Sequence, residues 1–485
     1  MLRNAQTKWV QHARSCRTVR ASAFRFSTSS PLTNKQSRNT PSTSTGSHYA
    51  NPKDQMYTVR PVNYWMDKLM QGEKQKDIND KSPKTPRKLV EKTMKDSYIE
   101  IHLPFKSSKE LLEEYIFVDG RIRTGKLLED LDSLAGAIGY KHIETASDQT
   151  SSPVTIVTAS VDRLDLFLPK AVENYRLSGH VTYTGYSSME IFIKGEVVPE
   201  GNEFDSQARE DPASHCYLDA NTVLATRFTM VAIDSITHKP VQVCPLVTTS
   251  PEEERLRQMA EQNKQRKKRD AETSFFKQPP TPQESLDMHT MFFEYSQYVD
   301  HQRSHDFAKL IPSESKKPLP DTCVWMSDTC KDALIVCQPQ FRNVHNNIFG
   351  GFIMKKALEL SYATASTFFR SKTPLVLSMD NVTFRKPVFV GSLLEMNSAV
   401  VYSPGHPHRS IQVRIVADIL DIDSGKRSTT NIFYFSLTCD DPTIKVRQVL
   451  PRSYGEILLW LDGKRRRLRG MHSRQLLLED LQRHT

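Results

Sequence analysis

S-V-D-R-L-D-L-F-L-P at 160–169 and S-M-D-N-V-T-F-R-K-P at 378–387 carry Ser, Asp and Pro at the same three places of two ten-residue runs. A second pair of landmarks repeats further along. Asp234 and Pro245 are eleven residues apart, as are Asp440 and Pro451, and each pair follows an apolar strand-like run, F-T-M-V-A-I before the first and F-Y-F-S-L-T-C before the second. The chain therefore holds two copies of one domain, and this repeat has to be found first because missing it misassigns the whole fold.

Within each copy the hydrophobic period changes once. In the first, G-K-L-L-E-D-L-D-S-L-A-G-A-I at 125–138 puts Leu127, Leu128, Leu131, Leu134, Ala135 and Ile138 on one face of a helix. In the second, the run 350–365 puts Ile353, Met354, Ala357, Leu358 and Tyr362 on a similar stripe. Runs rich in Val, Ile, Thr and Phe follow each helix, at 153–168, 176–184, 188–198 and 222–234, then at 374–384, 392–402, 409–420 and 428–439. One helix followed by an antiparallel meander predicts an α+β fold in which a curved sheet wraps a helix.

Around these copies the remaining segments fall into place. Residues 1–50 carry Arg3, Lys8, Arg14, Arg17, Arg20, Arg25, Lys35 and Arg38 and no acid. These eight charges account for most of the net +10 and leave about +2 after residue 50, too little for a strong polyanion binder. An acid-free, Arg- and Ser-rich leader with Trp9, Val10, Val19, Phe24 and Phe26 has the composition of a mitochondrial presequence, and R-F-S-T-S-S at 25–30 fits a processing site. We expect a presequence over 1–35, a disordered segment and arm over 36–96, domain 1 over 97–249, a charged helical linker over 250–320, domain 2 over 321–452 and a basic tail over 453–485. The linker helix, opened by Ser250-Pro251, runs from acids to bases, as the helix dipole favours, and reads as solvated. The tail's G-K-R-R-R-L-R-G at 463–470 reads as an exposed charged segment, with a coenzyme phosphate as the alternative contact. Seven cysteines without a C-x-x-C pair indicate free thiols in a reducing compartment. No stretch approaches the roughly 20 apolar residues of a membrane-spanning helix.

N-V-H-N-N-I-F-G-G-F-I-M at 343–354 followed by D-N-V-T-F-R-K-P-V-F-V-G-S-L-L at 380–394 resembles the hotdog-fold acyl-CoA thioesterases. G-R-I-R-T-G-K-L-L-E-D-L-D-S-L-A-G at 120–136, S-P-E-E-E at 250–254 and S-Y-G-E-I-L-L-W-L-D-G at 453–463 look specifically like the mitochondrial members, over about 97–463. The resemblance implies two tandem hotdog domains packed as an intramolecular pseudo-dimer, thioester hydrolysis in the mitochondrial matrix, and trimers of such chains. It also implies an Asn just before one central helix working with an Asp inside the other.

Aligning Gly125 with Gly351 puts Phe117 opposite Asn343 and Asp132 opposite Leu358. Each copy keeps one polar member and replaces the other with a hydrophobe, which predicts one competent site shared between the copies and one dead one. Asp132 is the expected general base and Asn343 the amide that positions water or carbonyl. The N–H groups of Gly350 and Gly351, at a helix start, are the expected donors to the thioester oxygen. Arg385 and Lys386 are candidates for coenzyme A phosphates, or simply an exposed strand end. Glu129 and Asp130 rival Asp132, His345 rivals Asn343, and Glu359 is either structural or a lining of the dead site; direct attack by Asp132 through an anhydride stays open.

The chain lacks a G-x-S-x-G elbow, a G-x-x-x-x-G-K-[ST] loop and H-E-x-x-H. The expectation is a hydrolase with no cofactor and no metal, coenzyme A entering only as part of the substrate, with no nucleic-acid partner and no membrane span. A hydratase on the same fold would want a His paired with a carboxylate, and none lies near Asp132. The reading from another class is a hotdog protein that binds acyl-CoA, or associates with the mitoribosome, without turnover.

Overall fold

The computed structural model describes residues 89–144, 154–198, 212–213, 216, 218–235, 237–272, 277–299, 312, 315–343, 347–371 and 373–483, all within one compact unit, 49–485. The presequence expected over 1–35 lies outside the described residues. The first half comprises α1 (Met94–Ser97), β1 (Ile99–Leu103), α2 (Lys109–Tyr115), the central helix α3 (Thr124–Ile143), β2 (Val154–Val161), β3 (Leu164–Leu166), β4 (Tyr175–Thr184), β5 (Ser188–Val197) and β6 (Thr222–Asp234). Two connecting helices follow, α4 (Pro251–Glu272) and α5 (Pro282–Ser296). The second half holds β7 (Cys323–Trp325), β8 (Lys331–Val336), the central helix α6 (Gly350–Phe369), β9 (Pro374–Met379), β10 (Val382–Thr383), β11 (Leu393–Tyr402), β12 (Ser410–Leu420), β13 (Arg427–Cys439), β14 (Gln448–Leu450) and α7 (Tyr454–Arg483).

The expected helix stripe of the first half is the buried one: Leu127, Leu128, Leu131, Leu134, Ala135 and Ile138 are all buried against the sheet. Each such aliphatic side chain taken out of water contributes on the order of 1.5–3 kcal/mol, which is what holds the sheet around the helix. In α6 the same role falls to Ile353, Met354, Ala357, Leu358 and Ala365, and the helix stops at Arg370, which turns left-handed at φ 55°.

Among the described residues β7 and β14 form a separate parallel pair, while twelve strands of both halves join into one antiparallel sheet with the order β1-β4-β5-β6-β3-β9-β13-β12-β11-β8, β2 and β10 pairing off this path. Its seam is reciprocal. Leu164 of β3 faces Met379 of β9, and Val382 of β10 faces Val161 of β2. In the alignment of 160–169 with 378–387, Leu164 matches Val382 and Val161 matches Met379, so the second pairing is the first one with the halves exchanged. The halves thus pair through matching edges at the seam, while β1 and β8 form the two ends of the order.

The chain joins the fold a little before residue 97. Lys92 N–H donates to Pro245 O at 3.0 Å, Val247 N–H donates to Lys92 O at 2.8 Å, and Met94 and Ser97 are fully buried. Two further segments differ from their sequence reading. The linker helix α4 is exposed over most of its length but rests on the first half along one side, with Ala260 buried, Lys267 paired with Asp162, and Lys264 over the Tyr183 ring. The basic tail is the helix α7, three of whose cations meet acids. Lys464 meets Asp287 at 2.7 Å, Arg465 meets Glu284, and Arg466 bridges Asp462 and Asp380. The basicity of these three answers acids of the chain itself. Among the described residues no helix is long and apolar enough to cross a membrane.

Candidate active site

The entry to each central helix is built twice on one plan. In the first half Arg123 N–H donates to Tyr115 O at 2.7 Å and Phe117 N–H to Arg121 O at 2.8 Å. In the second, Phe349 N–H donates to Phe341 O at 2.9 Å and Asn343 N–H to Asn347 O at 2.7 Å. Every partner lies 226 residues after its counterpart, the spacing of Gly125 and Gly351. The structural repeat therefore places Phe117 opposite Asn343 and Asp132 opposite Leu358, as the sequence alignment has them.

Asp132 sits on the third turn of α3 and is only 2% exposed. Its Oδ2 accepts from Gly351 N–H at 2.6 Å, and its Oδ1 accepts from the Thr158 hydroxyl at 2.8 Å. One half thus supplies the carboxylate, and the first turn of the other half's helix receives it. Burial pushes the carboxyl up, to about 6, against the opposing pull of the Thr158 hydroxyl and the Gly351 amide. A carboxylate oxygen has two acceptor sites, so each Asp132 oxygen can still take a proton donor such as water.

The glycine pair is explained by packing. A Cβ on Gly350 would lie 2.9 Å from Asp132 Oδ2 and 3.3 Å from the Phe384 ring. On Gly351 it would lie 2.8 Å from the Glu129 Cα and 2.6 Å from the Phe349 ring. Only glycine lets the helix end approach the carboxylate this closely. The same contact corrects one expectation: the Gly351 amide is taken up by Asp132, because a buried carboxylate captures the nearest unpaired helix donor, and so is not the open donor to a thioester oxygen. Gly350 heads the same helix.

Asn343 lies half-buried in the loop that leads into α6, and its side-chain oxygen accepts from Asn347 N–H at 3.2 Å. Its rival His345 lies outside the described residues. The other rivals have structural partners. Asp130 is fully buried and accepts from the Tyr115 hydroxyl at 2.7 Å, with its carboxyl raised by burial to about 8. Glu129 pairs with Lys355 at 3.1 Å, and Glu359 with Arg123 at 3.2 Å and Lys356 at 2.9 Å. Arg385 and Lys386 are exposed, directly after Phe384, and Lys386 Nζ donates to the Ser428 hydroxyl at 2.6 Å.

The equivalent position in the other half is closed. Leu358 is buried, and the Phe117 ring packs edge-on against Tyr362 with centroids 4.9 Å apart. The place that Asp132 holds in the first half is thus taken here by a buried leucine beside an aromatic contact, with no carboxylate at the equivalent position of the helix.

Thr158 is the site residue that sequence reasoning missed. In V-T-I-V-T-A-S its alternation places it on the face of Ile156, but nothing in a single strand separates a hydroxyl aimed at a carboxylate from an ordinary strand threonine. Among the described residues no group of three or more His, Cys, Asp or Glu side chains is arranged to hold a metal ion.

Two halves of one fold, a helix wrapped by sheet in each, with a buried carboxylate of one against the helix start of the other, define a double-hotdog protein of the thioesterase class. The family model described as Thioesterase superfamily matches residues 345–405. The acyl-coenzyme A thioesterase 9, mitochondrial, of Bos taurus is 37% identical over 403 residues, which cover 83% of this chain and 84% of that protein. The human protein of that name gives the same identity and coverage, and acyl-coenzyme A thioesterase 4, mitochondrial, of Humulus lupulus is 33% identical over 77% of this chain and 67% of its own length. Among solved structures, an acyl-CoA hydrolase mutant from Staphylococcus aureus is 22% identical with a TM-score of 0.31, covering 34% of this chain and 99% of its own. The chain belongs to the mitochondrial acyl-coenzyme A thioesterase family.

Proposed function

We propose that this chain hydrolyses acyl-CoA thioesters in the mitochondrial matrix at a single site per chain, with Asp132 as general base. The observation that carries this reading is the 2.6 Å hydrogen bond between Asp132 Oδ2 and Gly351 N–H, which sets a raised-pKa carboxylate at the start of a helix from the other half. Asp132 takes a proton from water, and the water oxygen bonds to the thioester carbon. The resulting oxyanion is met by the positive end of α6, with the Gly350 amide as its donor. When the C–S bond breaks, the proton held by Asp132 passes to the departing thiolate, and the acid and coenzyme A leave.

In this reading Thr158 holds the carboxylate in orientation and Asn343 aligns the water or the carbonyl without competing for the proton. Arg385 and Lys386, exposed directly after Phe384, meet coenzyme A phosphates in the same reading, a role that exposed cations can fill. The reaction uses water and the substrate alone, with no bound cofactor, metal or nucleic acid, and the working form is a homo-oligomer, a trimer of double-hotdog chains. The test is turnover of an acyl-CoA series by the mature protein and by its Asp132→Ala and Asn343→Ala forms. Loss in both with intact folding supports the assignment; wild-type rates in both overturn the site assignment, and absence of turnover in the mature protein itself points to an acyl-CoA-binding protein without chemistry.

A further inference from the structure

The repeat that pairs Asp132 with Leu358 also pairs Gly136 with Tyr362, four residues further along each central helix. In the closed half Tyr362 fills the space beside Leu358 and meets the Phe117 ring. In the half that carries Asp132 the same place is held by glycine, and a Cβ built on Gly136 meets nothing within 4 Å. The walls of this space are fixed on both sides. Asp132 is tied to β2 through the Thr158 hydroxyl at 2.8 Å, and Tyr140 is tied to the same strand by accepting from Ile156 N–H at 3.1 Å. Asp132, Gly136 and Tyr140 are successive residues of one helical stripe, each about 6 Å along the axis from the last. Helix and strand are therefore bridged at two points with an unfilled interval between them. Thr158 on the strand and Gly136 on the helix both remain partly exposed, so the interval opens to solvent.

We propose that this interval receives the acyl chain, that Gly136 sets its width and that Tyr140 closes its far end, so that these two residues set acyl-length preference. The inference rests on the assignment of the thioester to Asp132. The acyl part, rather than the pantetheine arm, belongs here for a topological reason: coenzyme A ends in a charged nucleotide that has to stay in water, whereas the interval is stopped by the Tyr140–Ile156 bridge. Gly139, one residue before Tyr140, faces the Ile156 and Met189 side chains, which makes that end apolar.

The experiment is a kcat/KM series over acetyl-, butyryl-, octanoyl- and palmitoyl-CoA for the wild type, Gly136→Leu, Gly136→Ala and Tyr140→Ala. Both replacements at 136 are better helix formers than glycine, so folding is favoured, and a thermal melt checks it. The wild type is expected to define an optimum. In Gly136→Leu the ratio of octanoyl to acetyl kcat/KM falls by about tenfold or more, Gly136→Ala falls between, and Tyr140→Ala raises the palmitoyl ratio, each in proportion to the volume changed. A loss of rate that is equal for all four substrates, or ratios that match the wild type, overturns the proposal. An Asp132→Asn form measured alongside separates the two readings: if it alone keeps full activity the catalytic assignment fails, and if it is inactive while the Gly136 ratios do not move only the acyl assignment fails.

Discussion

Glu129 and Lys355 occupy equivalent positions in the two halves, 226 residues apart, and they pair with each other at 3.1 Å. Residues related by a twofold can meet their own counterpart only on the axis, so this ion pair marks where the pseudo-twofold passes between α3 and α6. The flanking glycines agree: Gly351 faces the Glu129 Cα, and Gly125, its counterpart, faces Lys355. In a symmetric ancestor of such a pair two identical side chains would collide here, and like charges would repel. One acid and one base remove that conflict, which physically commits the two halves to being different. The Asp132–Leu358 difference and the axial Glu129–Lys355 difference thus lie within one turn of each other on the same helices.

The axial pair predicts that its members are interchangeable. Lys355→Glu alone puts two acids together, with both side chains only about 15% exposed, and should cost on the order of 1–3 kcal/mol. The double exchange Glu129→Lys with Lys355→Glu restores an opposite pair at the same place and should recover most of that loss. Recovery stops short of complete because Lys126, which lies 3.6 Å from Glu129, would then face a lysine. Urea melts of the two singles and the double provide the cycle; a double that is as unstable as the sum of its singles contradicts the axial reading.

Equivalent glycines should respond unequally. Gly351→Ala brings its Cβ to 2.8 Å from a backbone atom, the Glu129 Cα, so the helices have to separate. We expect a stability loss of about 1–3 kcal/mol and a large loss of turnover, since the Asp132 hydrogen bond goes with it. Gly125→Ala meets first the Lys355 Cγ, at 3.1 Å, which a flexible side chain can yield, and should be nearly neutral in both measurements. Equal effects at the two positions would contradict the asymmetry.

Much of this organisation was legible in the sequence, because the repeat supplied a second copy against which each residue could be judged. The strand runs expected at 176–184, 188–198 and 222–234 are β4, β5 and β6 within a residue or so, and both central helices lie where their stripes place them. Asp132 stood out from Asp130 through its counterpart Leu358, although Asp130 is equally buried. What could not be read were the long-range partners. The run E-E-E-R-L-R is a helix with its acids first whether it is solvated or docked, and only the Lys267–Asp162 pair decides which. Likewise nothing local in G-K-R-R-R-L-R-G announces Asp380, Glu284 and Asp287, each far away along the chain. The fate of the Gly351 amide was hidden for the same reason, since its acceptor lies in the other half.

The buried carboxylate should be visible in a pH profile. With Asp132 raised by burial to about 6, the active ionised form is lost as pH falls, so kcat/KM should drop with a midpoint near 6 rather than near the usual 4. Thr158→Val removes one of the two hydrogen bonds that favour the charged form, so the midpoint should move up, and the rate at pH 8 should change less than the rate at pH 6. A midpoint in the variant that matches or falls below that of the wild type would count against Asp132 as the titrating base.

Asp132→Asn should lose activity and gain stability. A raised carboxyl means that the folded state holds the proton more tightly than the unfolded chain does. The favourable contribution is therefore complete below pH 3.8 and is withdrawn as pH rises through about 6. Above that, the folded protein carries a buried charge that the unfolded chain leaves in water, and this opposes folding. Asparagine keeps an oxygen that can accept from the Gly351 amide or the Thr158 hydroxyl but carries no charge to desolvate. It should therefore melt higher than the wild type at pH 8, with the gap shrinking towards pH 4. As it cannot take a proton from water, turnover should fall by about 10²–10⁴-fold, the usual worth of a general base. Melting curves at both pH values with the hydrolysis rate of one acyl-CoA measure the two effects together. A variant that is both less stable at pH 8 and still active would mean that this carboxylate is there for packing, and that the strain of burying it serves no chemistry.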